Sequence, residues 1–143
     1  MSDGRILLVE DSENDIELTL AALAKHVANE VDVARDGAEA LDYLFRRGAF
    51  ARRAGGAPVL VMLDLKMPKV DGLEVLRTIK ADPALKRIPV VVLTSSREQR
   101  DLAESYERGV NAYVVKPVEF EKFTNAVRQP GLFWMLLNEP PPQ

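Results

Sequence analysis

The chain has 143 residues, of which 47% are hydrophobic and 29% charged, and its formal net charge is −3. This length and balance are typical of one globular domain rather than of a disordered segment. The absence of cysteine excludes disulfides and thiolate metal sites, and a single histidine excludes a His-rich metal site. The slight negative charge argues against a nucleic-acid partner bound by bulk electrostatics.

The sequence also predicts where the protein resides. Its apolar runs are far shorter than the stretch of about 18 residues that a membrane-spanning helix needs. The first residues lack the basic region, long apolar region and cleavage site of a signal peptide. We therefore expect a cytoplasmic protein with no membrane partner.

Short apolar runs alternate with helical patterns along the chain. Continuous apolar runs are typical of parallel strands that are buried on both faces. Such runs, one of them weak, predict strands over 6–9, 31–34, 59–63, 90–93 and 112–115. The order strand then helix, repeated five times, predicts an α/β fold with a parallel sheet, helices on both of its faces and right-handed crossovers.

The helices are predicted from apolar residues at helical spacing. The first begins after the N-cap residue Ser12, the fourth covers about 98–107, and the last begins near Glu119. The apolar stripes of the first three are Ile16, Leu20, Leu23 and Val27; then Ala40, Leu41, Leu44 and Phe45, ending near Gly48; then Leu73, Leu76 and Ile79, ending at about Asp82-Pro83.

Two connecting segments have distinct compositions. Asp36-Gly37 predicts a turn. Residues 46–58 contain four arginines among Ala and Gly, and they predict a basic loop or a lengthened helix end. A solvated loop is the simpler interpretation, and a contact with an acidic kinase surface or a nucleic acid is the alternative.

Polar residues stand where the predicted strands end. They are Glu10 and Asp11 after the first strand, Asp64 after the third, Thr94 after the fourth and Lys116 after the fifth. Because ligands of open α/β sheets bind outside the carboxyl ends of the strands, we expect these groups to meet. Clustered carboxylates need a cation, and Mg²⁺ suits oxygen ligands in a chain without cysteine.

This set of groups suits phosphoryl transfer, in which positioning and charge neutralisation supply most of the catalysis. The sequence contains neither of the glycine-rich nucleotide-binding motifs, so no nucleotide or other organic cofactor site is indicated. The phosphoryl group would then be attached to the protein, and Asp64 is the natural carboxylate nucleophile.

These motifs resemble the receiver domain of bacterial response regulators. The resemblance covers residues 4–128 and rests on Leu8-Val9-Glu10-Asp11, Leu63-Asp64-Leu65-Lys66-Met67-Pro68 with Asp71-Gly72, Leu93-Thr94-Ser95 and Tyr113-Val114-Val115-Lys116-Pro117. It implies a three-layer flavodoxin-like fold with strand order 2-1-3-4-5. The arginine-rich segment and residues 131–140 are most similar to single-domain regulators that are paired with bacteriophytochrome histidine kinases.

The resemblance also implies a role for each motif residue. Asp64 would accept a phosphoryl group from a histidine of the kinase. Asp11, Asp64, the backbone carbonyl of Lys66 and, through water, Glu10 would bind Mg²⁺. Lys116 would contact a phosphoryl oxygen as a point charge.

Three further residues would form the switch that the resemblance implies. Thr94 would bind another phosphoryl oxygen and move on activation. Tyr113 would turn inward when Thr94 moves, and Lys116–Pro117 would be a cis peptide. An ordinary packed tyrosine is the alternative for Tyr113.

We divide the chain into a receiver domain, residues 1–128, and a C-terminal extension with a proline-rich tail, residues 129–143. Residues 132–137 are apolar on every side, so they must be buried against some surface. They would pack in a homodimer or against the kinase, or fold back on their own domain.

The expected function is that of a single-domain response regulator whose output passes to a downstream protein or a histidine phosphotransfer protein. Such a protein is not an enzyme with an outside substrate. The alternatives are a phosphorylation-independent pseudo-receiver scaffold and a Mg²⁺-dependent aspartyl phosphohydrolase. The phosphohydrolase type needs a second aspartate two residues after the nucleophile, where this chain has Lys66.

Overall fold

The structure is a computed structural model. It describes residues 4–24, 29–53, 56–65, 72–94, 112–119 and 121–123. The strands are β1 (Arg5–Val9), β2 (Glu30–Ala34), β3 (Leu60–Asp64), β4 (Val90–Thr94) and β5 (Ala112–Val115). The helices are α1 (Glu13–Ala24), α2 (Gly37–Phe45) and α3 (Gly72–Ala81), with a short 3-10 helix at Gly48–Phe50. All five strand predictions are confirmed.

The five strands form one parallel sheet in the order β2-β1-β3-β4-β5. This order confirms the expected flavodoxin-like receiver fold. The direction in which strands are added to the sheet reverses at β1, because β2 lies on one side of it and β3 on the other. In register, Val9 of β1 is opposite Leu63 of β3, so the residues that follow them leave the sheet side by side.

The core has two halves, one on each face of the sheet. Alternate strand residues point to opposite faces, so that Leu7 and Leu63 belong to one half while Leu8 and Met62 belong to the other. The first half includes α2 and α3, and the second includes Ile16 and Leu23 of α1, as their predicted stripe requires. The central strands are buried on both faces because helices cover both.

Side-chain caps determine where the first two helices begin. The Asp15 N–H donates to Ser12 Oγ at 3.3 Å, which agrees with the predicted N-cap of α1. The prediction of a turn at Asp36-Gly37 was wrong, because Gly37 is already in α2 and Asp36 is its N-cap. Asp36 Oδ1 accepts the Glu39 N–H at 2.7 Å, an arrangement that stabilises a helix start as readily as a turn.

Helix α2 ends earlier than predicted. Arg46 adopts the left-handed conformation with φ +54°, and its N–H donates to Tyr43 O, so the chain reverses before Gly48. Phe45, predicted to be part of the apolar stripe, is 37% exposed, and the Arg47 guanidinium lies 5.2 Å from its ring centroid. A left-handed arginine at this position carries no sequence signal of the kind that glycine provides.

The arginine-rich segment folds back on α2 while Arg46, Arg47 and Arg52 stay exposed to solvent, which agrees with the solvated-loop interpretation. The Arg53 guanidinium lies 4.0 Å from the Tyr43 ring centroid and donates to the Tyr43 and Gly56 carbonyl oxygens. Arg46 donates to Arg53 O, and Arg47 pairs with Asp42 at 2.9 Å. Intramolecular contacts therefore engage three of the four arginines.

Several predictions lie outside the described residues. They are the helix over about 98–107, the loop from Lys66 to Asp71, Val27 and the apolar segment 132–137. Of the last helix, residues 121–123 are described as helical, and the Phe123 N–H donates to Glu119 O at 2.9 Å. In the described part of the chain, no helix has the length and apolarity to cross a bilayer.

Candidate functional site

Three carboxylates meet at the carboxyl edge of the sheet. Glu10 and Asp11 follow β1, Asp64 ends β3, and one oxygen of each lies within 4.8 Å of the others. Glu10 is fully buried and Asp64 is 3% exposed, whereas Asp11 faces solvent. The predicted cluster therefore forms because β1 and β3 are parallel neighbours in register.

Lys116 brings a cation to these carboxylates from the end of β5. Its Nζ lies 2.7 Å from Glu10 Oε1 and 3.2 Å from Asp64 Oδ2. The lysine side chain is only 14% exposed, so water screens these ion pairs weakly. Lys116 thus offsets the repulsion between two buried acids.

Burial determines much of the electrostatics of this site. It raises the pKa of Glu10 to about 7, because the charged form loses hydration; the Asp64 charge adds to this effect and the Lys116 ammonium opposes it. Burial by itself would lower the pKa of Lys116. Its contacts with the carboxylates of Glu10, Asp64 and Asp15 outweigh that effect and raise the pKa, so the lysine remains protonated.

Asp15, in the first turn of α1, is a site residue that the sequence analysis missed. Its Oδ2 accepts a hydrogen bond from Lys116 Nζ at 3.2 Å, across 101 positions of sequence. An acid in the first turn of a helix is explained by the helix N-terminus alone, so its residue type does not point to the site. A usable signal did exist, since α1 begins directly beyond β1 and its first turn must lie at the same edge of the sheet.

Gly72, the first residue of α3, packs closely against the backbone of Asp64 and Leu65 at the end of β3. The Gly72 N–H donates to Leu65 O at 2.9 Å. A methyl group added at Gly72 would lie 2.3 Å from Asp64 O and 2.4 Å from Leu65 Cα. Only glycine allows α3 to begin this close to the end of β3.

The structure describes the positions of three of the remaining predicted site residues, Thr94, Tyr113 and Pro117, but not that of Lys66. Thr94 is the last residue of β4, opposite Val115, so its backbone lies at the same edge of the sheet as Asp64. Tyr113 is partly buried and packs against the core half that includes Leu63. The Lys116–Pro117 peptide is cis, as the resemblance implied. Lys66 lies outside the described residues.

The donor set fits a hard divalent cation. It consists of carboxylate oxygens from Glu10, Asp11 and Asp64, one of them open to solvent, and of no nitrogen or sulfur ligand. Mg²⁺ prefers oxygen ligands and retains several waters, which an exposed Asp11 allows. The residues present therefore suit Mg²⁺ better than a softer metal.

Comparison with known proteins agrees with the fold. Residues 6–128 match the family described as the response regulator receiver domain. The chain is 41% identical to Response regulator Rcp1 of Synechocystis over 91% of its length and 88% of that protein. It is 40% identical to a probable methanogenesis regulatory protein, FilR2, of Methanothrix harundinacea, over 95% of this chain and 86% of that protein.

Solved structures of response regulators resemble this chain in both sequence and fold. The bacteriophytochrome response regulator AtBRR superposes with a TM-score of 0.87 at 63% identity, covering 95% of this chain and 98% of that chain. The Mn²⁺-bound form of Rcp1 superposes with a TM-score of 0.71 at 45% identity, covering 79% and 81%.

The fold and the matched residues define a receiver module of two-component signalling, a class that implies a histidine kinase as partner. The chain belongs to the response regulator receiver domain family. Within that family it is closely related to phytochrome response regulators.

Proposed function

We propose that this protein accepts a phosphoryl group on Asp64 from a histidine of a partner kinase. The observation that supports this most directly is the position of Asp64, which is nearly buried and 3.2 Å from the Lys116 ammonium, beside Glu10 and Asp11. A carboxylate nucleophile beside a fixed cation and a divalent metal site is suited to phosphoryl transfer.

Phosphoryl transfer to Asp64 exchanges one bond to phosphorus for another. An Asp64 carboxylate oxygen forms a bond to phosphorus, the bond between phosphorus and the kinase imidazole nitrogen breaks, and the bonding electron pair stays on that nitrogen. Bound Mg²⁺ would neutralise charge on the transferred group. Asp11, Asp64, the Lys66 carbonyl and, through water, Glu10 would hold the Mg²⁺. Lys116 would contact a phosphoryl oxygen.

The phosphorylated site would change a protein-interaction surface. Thr94 and Tyr113 are proposed as the moving pair, since Thr94 ends the strand beside Asp64 and Tyr113 packs against the same core. The surface would serve a downstream protein or a histidine phosphotransfer protein. On this proposal the chain catalyses only its own phosphorylation and dephosphorylation.

A bacteriophytochrome-type kinase is the proposed phosphoryl donor. AtBRR and RtBRR, both described as bacteriophytochrome response regulators, are 63% and 56% identical to this chain.

We propose the division into a receiver domain over 1–128 and an extension over 129–143. The apolar residues 132–137 are proposed to pack in a homodimer, and the protein is proposed to act in the cytoplasm.

The test is intact mass spectrometry after incubation with acetyl phosphate, with and without Mg²⁺. The wild type should gain one phosphoryl group only with Mg²⁺, and Asp64→Asn should gain none. Glu30→Gln, an exposed acid at the opposite end of the sheet, is the matched control and should gain one. No gain by the wild type, under conditions that label another receiver domain, would replace this proposal with the pseudo-receiver scaffold. Light scattering on the same samples reports whether the dimer exists.

A further inference from the structure

Lys116 contacts as many carboxylates as it has protons to donate. Its ammonium has three protons. Its Nζ lies 2.7 Å from Glu10 Oε1, 3.2 Å from Asp64 Oδ2 and 3.2 Å from Asp15 Oδ2. If Asp64 carries a phosphoryl group, an oxygen of that group becomes a fourth acceptor. That oxygen competes with the carboxylates for the three protons of the ammonium.

Burial and position identify which carboxylate is released. Glu10 is fully buried, so no water can replace the ammonium as its hydrogen-bond donor. Asp64 stays beside the ammonium, because the competing phosphoryl group is attached to it. The Asp15 side chain is 28% exposed and lies at the N-terminal turn of α1, where water and the helix dipole stabilise a free carboxylate. Asp15 is therefore the least costly of the three to release.

The backbone around Asp15 is held in place independently of the lysine. The Asp15 N–H donates to Ser12 Oγ at 3.3 Å, and the Ser12 N–H donates to Glu10 Oε2 at 3.2 Å. With the two Lys116 contacts, these bonds close a ring through Glu10, Ser12, Asp15 and Lys116. The Asp15 carboxylate can therefore turn away without any movement of the helix start.

We propose that Asp15 is a positioning residue, which holds Lys116 beside Asp64 before phosphoryl transfer and competes with the phosphoryl group for the ammonium afterwards. This inference rests on the proposed function and adds a residue to its site. It requires that removal of the Asp15 charge should strengthen the binding of a phosphoryl group at Asp64.

The test measures the affinity of beryllofluoride, which mimics a phosphoryl group on a carboxylate, by isothermal titration calorimetry at saturating Mg²⁺. Asp15→Asn should lower the apparent Kd about threefold to fivefold, the size expected for one partly exposed ion pair. Asp15→Glu, which keeps the charge, should retain the wild-type Kd. Glu13→Gln is the matched control, because Glu13 lies in the same turn but pairs with Arg35 at 2.6 Å, and it should also retain the wild-type Kd.

A double-mutant cycle with Lys116→Met separates contact from long-range charge. In the Lys116→Met background, Asp15→Asn should change the Kd no more than Glu13→Gln does. If that background binds no beryllofluoride, the same cycle is measured on the urea midpoint in EDTA, where Asp15→Asn should shift the midpoint only when Lys116 is present. Equal effects of Asp15→Asn in both backgrounds would overturn the proposal.

The remaining outcomes distinguish this inference from the proposed function. A wild type that binds beryllofluoride while Asp15→Asn has an unchanged or higher Kd overturns the role of Asp15 alone. A wild type that binds no beryllofluoride and gains no phosphoryl group overturns the proposed function, and the role of Asp15 with it.

Discussion

The Lys116 ammonium lies 2.7 Å from Glu10 Oε1, although β3 and β4 separate their strands in the sheet. The Lys116 and Glu10 side chains therefore meet across the ends of these two strands, and the same Nζ lies 3.2 Å from Asp64 Oδ2. This contact joins the edge strand β5 to β1. It also makes one cation responsible for two buried carboxylates, which gives the first prediction.

Lys116→Met should destabilise the metal-free protein by about 3–5 kcal/mol, because it leaves Glu10 and Asp64 buried without their cation. Urea unfolding in EDTA measures this loss, and added Mg²⁺ should restore more stability to the variant than to the wild type. Lys122→Met removes an exposed lysine whose partner is Glu119, so it should cost less than about 1 kcal/mol. Equal losses for both variants would contradict the central role of Lys116.

Mg²⁺ should stabilise the wild type by mass action, by about 1.4 kcal/mol at ten times its Kd. Asp11→Asn should require a higher Mg²⁺ concentration for the same rise in Tm, because Asp11 is the solvent-facing ligand of the proposed set. Thermal unfolding across a Mg²⁺ titration measures this shift. Superimposable titrations for wild type and Asp11→Asn would remove Asp11 from the metal site.

Gly72→Ala should lower both stability and phosphoryl uptake, since its methyl group would overlap Asp64 O and Leu65 Cα. We expect a loss of about 1–3 kcal/mol, typical of overpacking. Gly56→Ala is the matched control, because no atom lies within 4 Å of its added methyl group and the stability should stay level or rise slightly. Urea unfolding and intact mass on both variants test this pair, and similar losses for the two would refute the packing argument.

Tyr43→Phe should change the response of stability to alkaline pH. The Tyr43 hydroxyl donates to Asp32 Oδ2 at 2.5 Å, and burial, together with this bond, raises the pKa of Tyr43 to about 12. A raised folded-state pKa means that stability is complete below the unfolded value of about 10 and is lost as pH rises through about 12. The wild type should therefore lose more stability than the variant over this interval.

The measurement is urea unfolding of wild type and Tyr43→Phe at pH 8 and pH 11. At pH 8 the variant should be less stable by about 1 kcal/mol, the typical worth of one hydrogen bond. At pH 11 the difference should shrink, because ionisation of Tyr43 penalises only the wild type. A difference that stays constant with pH would show that folding does not raise the pKa of Tyr43.

Much of the fold could be predicted because its signals are local. Continuous apolar runs predicted all five strands, and spacing predicted the stripes of α1 and α3. The predictions that failed concern how segments turn. Asp36 caps a helix where a turn was expected, because an aspartate side chain can bond nearby backbone N–H groups in either structure. Arg46 reverses the chain before Gly48, because a left-handed arginine has no sequence signal of its own.

For the candidate site, the groups that follow each strand can be identified from the order of residues alone, because a parallel sheet sends every strand's carboxyl end to one edge. Glu10, Asp11, Asp64 and Lys116 could be identified in this way. How these groups share charge depends on the folded chain. The burial of Glu10, the meeting of Lys116 and Glu10 across β3 and β4, and the contact with Asp15 depend on side-chain packing over 101 positions of sequence, which no local pattern encodes.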